Sequence, residues 1–144
     1  MFSSILVPVD LAEEGFEGPA VATAVMLAKA SGAKVRLIHV MQDMPPSVRE
    51  MMPAEFEKEQ RQSAHDQLKA LAARLDLPAD RISFALRVGD IRHEVIDDAT
   101  EHGADLIMMR SHRPKFSTYL LGSNAAHIVR HAPCSVFVVR EGGA

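Results

Sequence analysis

The sequence predicts a doubly wound α/β domain, with five strands in a mainly parallel sheet and helices on both faces. Three observations predict it. Short apolar runs of strand length alternate with stretches of helical period. Gly, Pro and Asp mark the breaks between them. The chain has 144 residues, one domain's length and enough to bury a sizeable core. Alternating strands and helices imply a mainly parallel sheet, and right-handed crossovers leave few topologies for it.

Ile5–Val9 is the first strand, a β-branched run that reads as buried on both faces. Leu11–Gly18 is an acidic loop, with Glu13, Glu14 and Glu17. Pro19 suits the first turn of a helix, Val21, Val25 and Ala28 follow at helical spacing, and Ser31-Gly32 ends it. Val35–Met41 is the second strand. The stretch Gln42–Pro53, with adjacent prolines and Met44, Met51 and Met52, reads as a loop that could fold over a ligand, face a partner or simply move. A long charged helix spans Ala54–Leu75, with Phe56, Ala64, Leu68, Leu71 and Leu75 on one face. Pro78-Ala79-Asp80 connects it to the third strand, Ile82–Val88, and Gly89-Asp90 supplies a turn and a cap. Ile91, Val95, Ile96 and Ala99 mark a third helix, closed near Gly103. Leu106–Met109 is the fourth strand. Gly122-Ser123 opens a fourth helix, Asn124 to His131, which Pro133 stops. Ser135–Val139 is the fifth strand. There is no internal repeat, and 1–144 reads as a single domain.

The net charge of −3 offers no bulk attraction for nucleic acid or an acidic membrane surface. A hydrophobic share of 47 % with 24 % charged residues is ordinary for a globular domain, and no apolar run approaches a bilayer span. The first strand begins within a few residues of Met1, so no signal peptide is expected. One cysteine, Cys134, leaves no intrachain disulfide and points to the cytoplasm.

The flavodoxin-like and nucleotide-binding orders both reverse at a switch point, and ligands sit there, at strand carboxyl ends; in the order 3-2-1-4-5 of a five-stranded parallel sheet the switch lies between strands one and four. Asp10 ends the first strand there; Met109 and Arg110 end the fourth. Behind them, Ser111, His112 and Arg113 lead into a loop that closes on Gly122, Ser123 and Asn124, where a helix begins. Backbone amides and cations gathered at a helix amino terminus favour an anion. Gly122 lets the backbone approach it, Ser123 and Asn124 offer donors, and Arg113 can fork onto phosphate oxygens. The plainer alternative is that Ser123 only caps the helix. Neither standard phosphate loop occurs in the chain.

The opening ILVPVD and the carboxyl-terminal segment Ser111–Arg140, with Ser-His-Arg-Pro and Leu-Leu-Gly-Ser-Asn-Ala-Ala, resemble the universal stress protein (UspA-like) family. The resemblance runs the length of the chain, with specific motifs at both ends. It implies a Rossmann-like, cytoplasmic, homodimeric protein that binds ATP, with or without magnesium, or senses nucleotide, and serves regulation in stress. The family's nucleotide motif is Gly, two residues, Gly, nine residues, Gly-Ser/Thr. Here Arg110 and Arg113 stand at the first two glycine positions, and eight residues, Pro114 to Leu121, precede Gly122-Ser123. Arg113-Pro114 and the shorter spacing are shared with one branch of the family; Arg110 is not.

On that resemblance, Asp10 could hold a ribose hydroxyl or a magnesium-bound water, or serve as a turn carboxylate. Pro8, Val9 and Val40 would line an adenine pocket, or be plain core. Gly89 joins the expected ligand-binding set, although it also reads as a turn glycine. Arg110 could clamp phosphates, or fill the cleft by pairing with Asp10, Glu13 or Glu14. The apolar last strand, Ser135–Val139, lies at a sheet edge and would pair with a second copy. A further protein partner is expected without being identifiable. His127 and His131 at i, i+4, with Cys134 nearby, suit zinc poorly because Pro133 breaks the helix between them. Ser111-His112 beside Asp10 lacks the surroundings of a nucleophilic triad. The expected function is an ATP-binding regulator with no catalytic residues. Its rivals are a slow ATPase or phosphotransferase of the same fold, and a nucleotide-free dimeric scaffold.

Overall fold

The computed structural model describes residues 1–11, 18–111 and 122–140. Five strands form one parallel sheet: β1 (Ser4–Pro8), β2 (Lys34–Met41), β3 (Ile82–Val88), β4 (Leu106–Arg110) and β5 (Ser135–Val139). Their spatial order is β3-β2-β1-β4-β5, as the sequence predicts. The helices are α1 (Pro19–Ser31), α2 (Pro46–Met51), α3 (Ala54–Arg74), α4 (Ile91–Glu101) and α5 (Ser123–His131), with a 3₁₀ turn at Ala79–Arg81. Among the described residues, no helix is long and apolar enough to cross a membrane.

Because successive strand side chains point to opposite faces, the sheet carries two cores. Ile5, Val7, Val35 and Leu37 face α1 and α3, where Ala24, Ala28, Leu68 and Leu71 complete one cluster. Leu6, Ile38, Ile107 and Met109 face α4 and α5, and meet Val95, Ala99 and Ile128 in the other. On α3 the buried face is Ala64, Leu68, Leu71 and Ala72, with Leu75 at its edge; Phe56, a turn and more upstream, is only half-buried.

Several boundaries differ from expectation for local reasons. β1 ends at Pro8, although the Val9 amide still donates to the Ile38 carbonyl at 2.7 Å. β4 runs on through Arg110, which pairs with Val139. The stretch expected to be all loop contains α2. Pro46 occupies its first turn, where a missing N–H costs nothing, and Met52, forced extended by Pro53, ends it at φ −91° and ψ 147°. α1 stops at Gly32, whose left-handed φ of 78° lets its amide reach the Ala28 carbonyl at 2.8 Å.

Two carboxylates hold elements together away from the strand carboxyl ends. Asp105 accepts from the Ser3 amide (2.8 Å), the Ser3 hydroxyl (2.9 Å) and the Ser4 amide (3.0 Å), tying the start of β1 to that of β4. Asp98, fully buried on α4, accepts a two-point contact from Arg36 of β2 at 2.8 and 3.0 Å and a third from Arg87 of β3 at 3.1 Å. Arg87 also reaches Glu101 at 3.1 Å and Glu94 at 3.4 Å. Burial pushes the Asp98 carboxyl up, but the Arg36 and Arg87 hydrogen bonds outweigh it and leave its pKa below the ordinary value.

Removing Asp98 would take from the poorly solvated Arg36 its two-point partner and leave Arg87 to Glu94 and Glu101. Asp98→Ala should lower the unfolding free energy by about 3 kcal/mol, measured by urea denaturation near pH 7. A depressed folded pKa contributes stability that is present above the unfolded value of about 3.9 and lost as pH falls through the folded one. The parent should therefore lose more stability than Asp98→Ala on acidification below about pH 4.

Candidate functional site

The strand order reverses between β1 and β4. β1 continues into α1 on one face of the sheet, and β4 leads towards α5 on the other. A cleft of about 270 Å³ opens at the carboxyl ends of these two strands. Pro8, Val9 and Asp10 come to it from β1; Met109 and Arg110 come from β4; Gly122, Ser123, Asn124 and Ala125 come from the start of α5. Gly18, Ala20 and Val21 at the start of α1, and Ile91 at the start of α4, complete its described lining.

The floor is apolar, since Val9, Val21 and Met109 are buried. The rim is polar. Asp10 is exposed at the mouth, and the half-buried Arg110 lines the same cleft. α5 begins with Gly122 as its N-cap at φ −58° and ψ 154°, and no side chain caps it. Ser123 is thus the first helical residue, so its expected alternative role as the cap is not what the helix uses. The amides at this end have no acceptor within the helix, and the positive end of the helix dipole points into the cleft. α1 also starts here, behind Gly18 and likewise without a side-chain cap. α4 differs, because Asp90 accepts from the Arg92 amide at 3.0 Å.

Eight of the expected positions therefore meet in one place: Pro8, Val9, Asp10, Met109, Arg110, Gly122, Ser123 and Asn124. Three others do not line the cleft. Ser111 is buried, and its amide extends the sheet by donating to the Val139 carbonyl at 2.9 Å. Val40 packs, partly buried, against the α4–α5 core. Gly89 is a turn glycine at φ 147°; its amide donates to the Met41 carbonyl at 2.9 Å, and a Cβ there would meet Glu94 at 3.0 Å. His112, Arg113 and the acidic positions Glu13 and Glu14 lie outside the described residues.

Sequence reasoning passed over Gly18, Ala20, Val21, Ile91 and Ala125. A signal existed: Pro19 and Asp90 both mark helix starts, and a helix start that follows a parallel strand faces the same end of the sheet.

The histidines of α5 stand apart from this chemistry. His127 packs ring to ring with His131 (centroids 4.5 Å apart) and with His93 (5.7 Å). Burial, then the nearby His131 and Arg92, pull the His127 imidazole below its ordinary value. Cys134 instead packs into the α4–α5 core, where burial pushes its thiol up. Among the described residues, no three His, Cys, Asp or Glu side chains are grouped to hold a metal ion.

The model of the universal stress protein family matches residues 1–140. The chain belongs to that family. Universal stress protein G of Shigella flexneri is 34 % identical over 97 % of this chain and 100 % of its own. Among solved structures, universal stress protein UspA from Lactobacillus plantarum superposes with a TM-score of 0.78 at 24 % identity, covering 96 % of this chain and 97 % of that one. A universal stress protein solved in complex with cAMP superposes at 0.62 with 22 % identity, covering 96 % and 97 %. At those identities the two structures establish the shared fold.

Proposed function

We propose that this universal stress protein is a regulatory protein that binds an adenine nucleotide, ATP, between β1 and β4 and acts as a homodimer. One observation carries the reading. The cleft joins a buried apolar floor to an uncapped helix start, which suits a flat base at one end and an anion at the other. A fold relative solved with cAMP holds a ligand of that class, which adds support. In this reading Pro8, Val9 and Met109 face the base, and Asp10 takes a ribose hydroxyl or a water on magnesium. The α5 amides, with Ser123 and Asn124, receive phosphate. Arg110 clamps the phosphates in place of the glycine common in the family. A regulator charged with ATP works where ATP is abundant, which assigns it to the cytoplasm, where a further protein would read its state.

The dimer reading rests on β5. It is an edge strand, so its outer backbone groups have no neighbour in this sheet, and Phe137 is 44 % exposed. A second copy pairing edge to edge would satisfy both surfaces with one symmetric contact.

Calorimetric titration with ATP and magnesium tests the cleft. Gly122→Val sets a branched side chain where phosphate would approach the helix start, and should weaken binding by at least about tenfold. Unchanged affinity in a folded variant would remove the phosphate assignment. Arg110→Ala should cost between about tenfold and about a hundredfold, the range for a charged hydrogen bond. Tighter binding would mean that Arg110 fills the cleft, and no change would mean that it contributes nothing there. Sedimentation of Val138→Lys should show a monomer, because the edge strand then carries a charge into the proposed seam. A variant as dimeric as the parent would put the interface elsewhere.

A further inference from the structure

His39 lies near the carboxyl end of β2 and does not line the cleft. Its side chain points to the α1 side of the sheet, with Val35 and Leu37, and is half-buried there. Its Nδ1 sits 2.8 Å from the Val9 carbonyl oxygen and 3.4 Å from the Leu11 amide nitrogen. Those two backbone groups flank Asp10.

One ring nitrogen cannot donate and accept at once. The short contact needs a proton on Nδ1; the long one needs a lone pair there. At 2.8 Å the contact to Val9 decides, so Nδ1–H donates to the Val9 carbonyl and the Leu11 amide stands beside the ring. The register of β1 on β2 ends at the Pro8–Ile38 pair, and one further bond, from the Val9 amide to the Ile38 carbonyl, extends it. The imidazole then grips the main chain where it leaves the sheet for the cleft mouth.

We propose that His39 is a positioning residue. By holding the Val9 carbonyl, on the residue just before Asp10, it sets where that carboxylate stands, and so the affinity for a ligand presenting a hydroxyl or a hydrated cation to it. The proposal rests on the nucleotide reading above and adds to it a residue outside the cleft. A side chain that merely supported the fold would act on the melting temperature regardless of Asp10. A positioning residue acts through Asp10.

The experiment is a double-mutant cycle read by ATP–magnesium titration, with thermal melts alongside. His39→Leu should weaken binding about tenfold, as expected for the loss of one hydrogen bond. His39→Asn, whose amide reaches the position of Nδ1, should restore it to within about threefold, whereas His39→Gln, one carbon longer, should behave as Leu does. In an Asp10→Ala background the His39→Leu change should cost less than about twofold. Equal losses in both backgrounds, or no rescue by Asn in a protein that melts normally, would overturn the proposal. If the parent takes up no ATP, the nucleotide reading fails, and the positioning claim is settled on the ligand-free protein by NMR. The Asp10 and Leu11 amide resonances should then move in His39→Leu and return in His39→Asn. Resonances that stay put in both would overturn it.

Discussion

A parallel sheet can reverse its strand order only where two neighbouring strands send their connections to opposite faces. Right-handed crossovers make this a necessity. In this chain the pair is β1 and β4, and the rest of the structure follows from that divergence. α1 goes to one side and α5 to the other, so among the described residues no helix covers the gap between the strand ends. Helix starts converge on it because every helix that follows a parallel strand begins at the same end of the sheet. The polar rim and the uncapped amides are therefore products of topology as much as of the residues that stand there.

The two ends of the sheet are built differently. At the amino-terminal end of β1, the Asp105 carboxylate satisfies Ser3 and Ser4 with three hydrogen bonds, and burial followed by those bonds sets its pKa, with the bonds prevailing and leaving it low. Along the α4 face, Asp98 joins β2, β3 and α4 through Arg36 and Arg87. Polar groups there are matched to one another. At the cleft, the first amides of α1 and α5 lack side-chain caps. Helix-start amides that no described side chain caps, beside engaged carboxylates elsewhere, suit an anionic ligand on a rigid frame.

His39 and Gly89 show how function and frame share a single layer of residues. His39 sits near the end of β2 and Gly89 just past the end of β3. Gly89 suits its turn, where φ of 147° would strain any side chain and an added Cβ would press on the Glu94 side chain at 3.0 Å. His39 reaches across from β2 to the chain that carries Asp10. Neither touches the cleft, yet both shape the segments that border it.

The fold was legible in the sequence because its signals are local. Alternating apolar runs of strand and helix length, Pro19 at a helix start, Gly32 at a helix end and Pro133 beyond another follow from dihedral preferences that hold anywhere. The reversal at β1 and β4 followed from strand order, and with it the meeting of Asp10, Arg110 and Gly122. Other features depended on distant partners and had no such signal. Asp98 reads as one more polar residue on a charged helix until Arg36, sixty-two positions earlier, bonds to it from another element. His39 reads as an interruption in an apolar strand until the Val9 carbonyl comes within reach. Val40 reads from the sequence as core or base-lining or both, and the pleat sets it against the α4–α5 core. Composition and spacing determine which elements form; the pairing of buried polar groups is decided only when tertiary packing brings together atoms far apart in the chain.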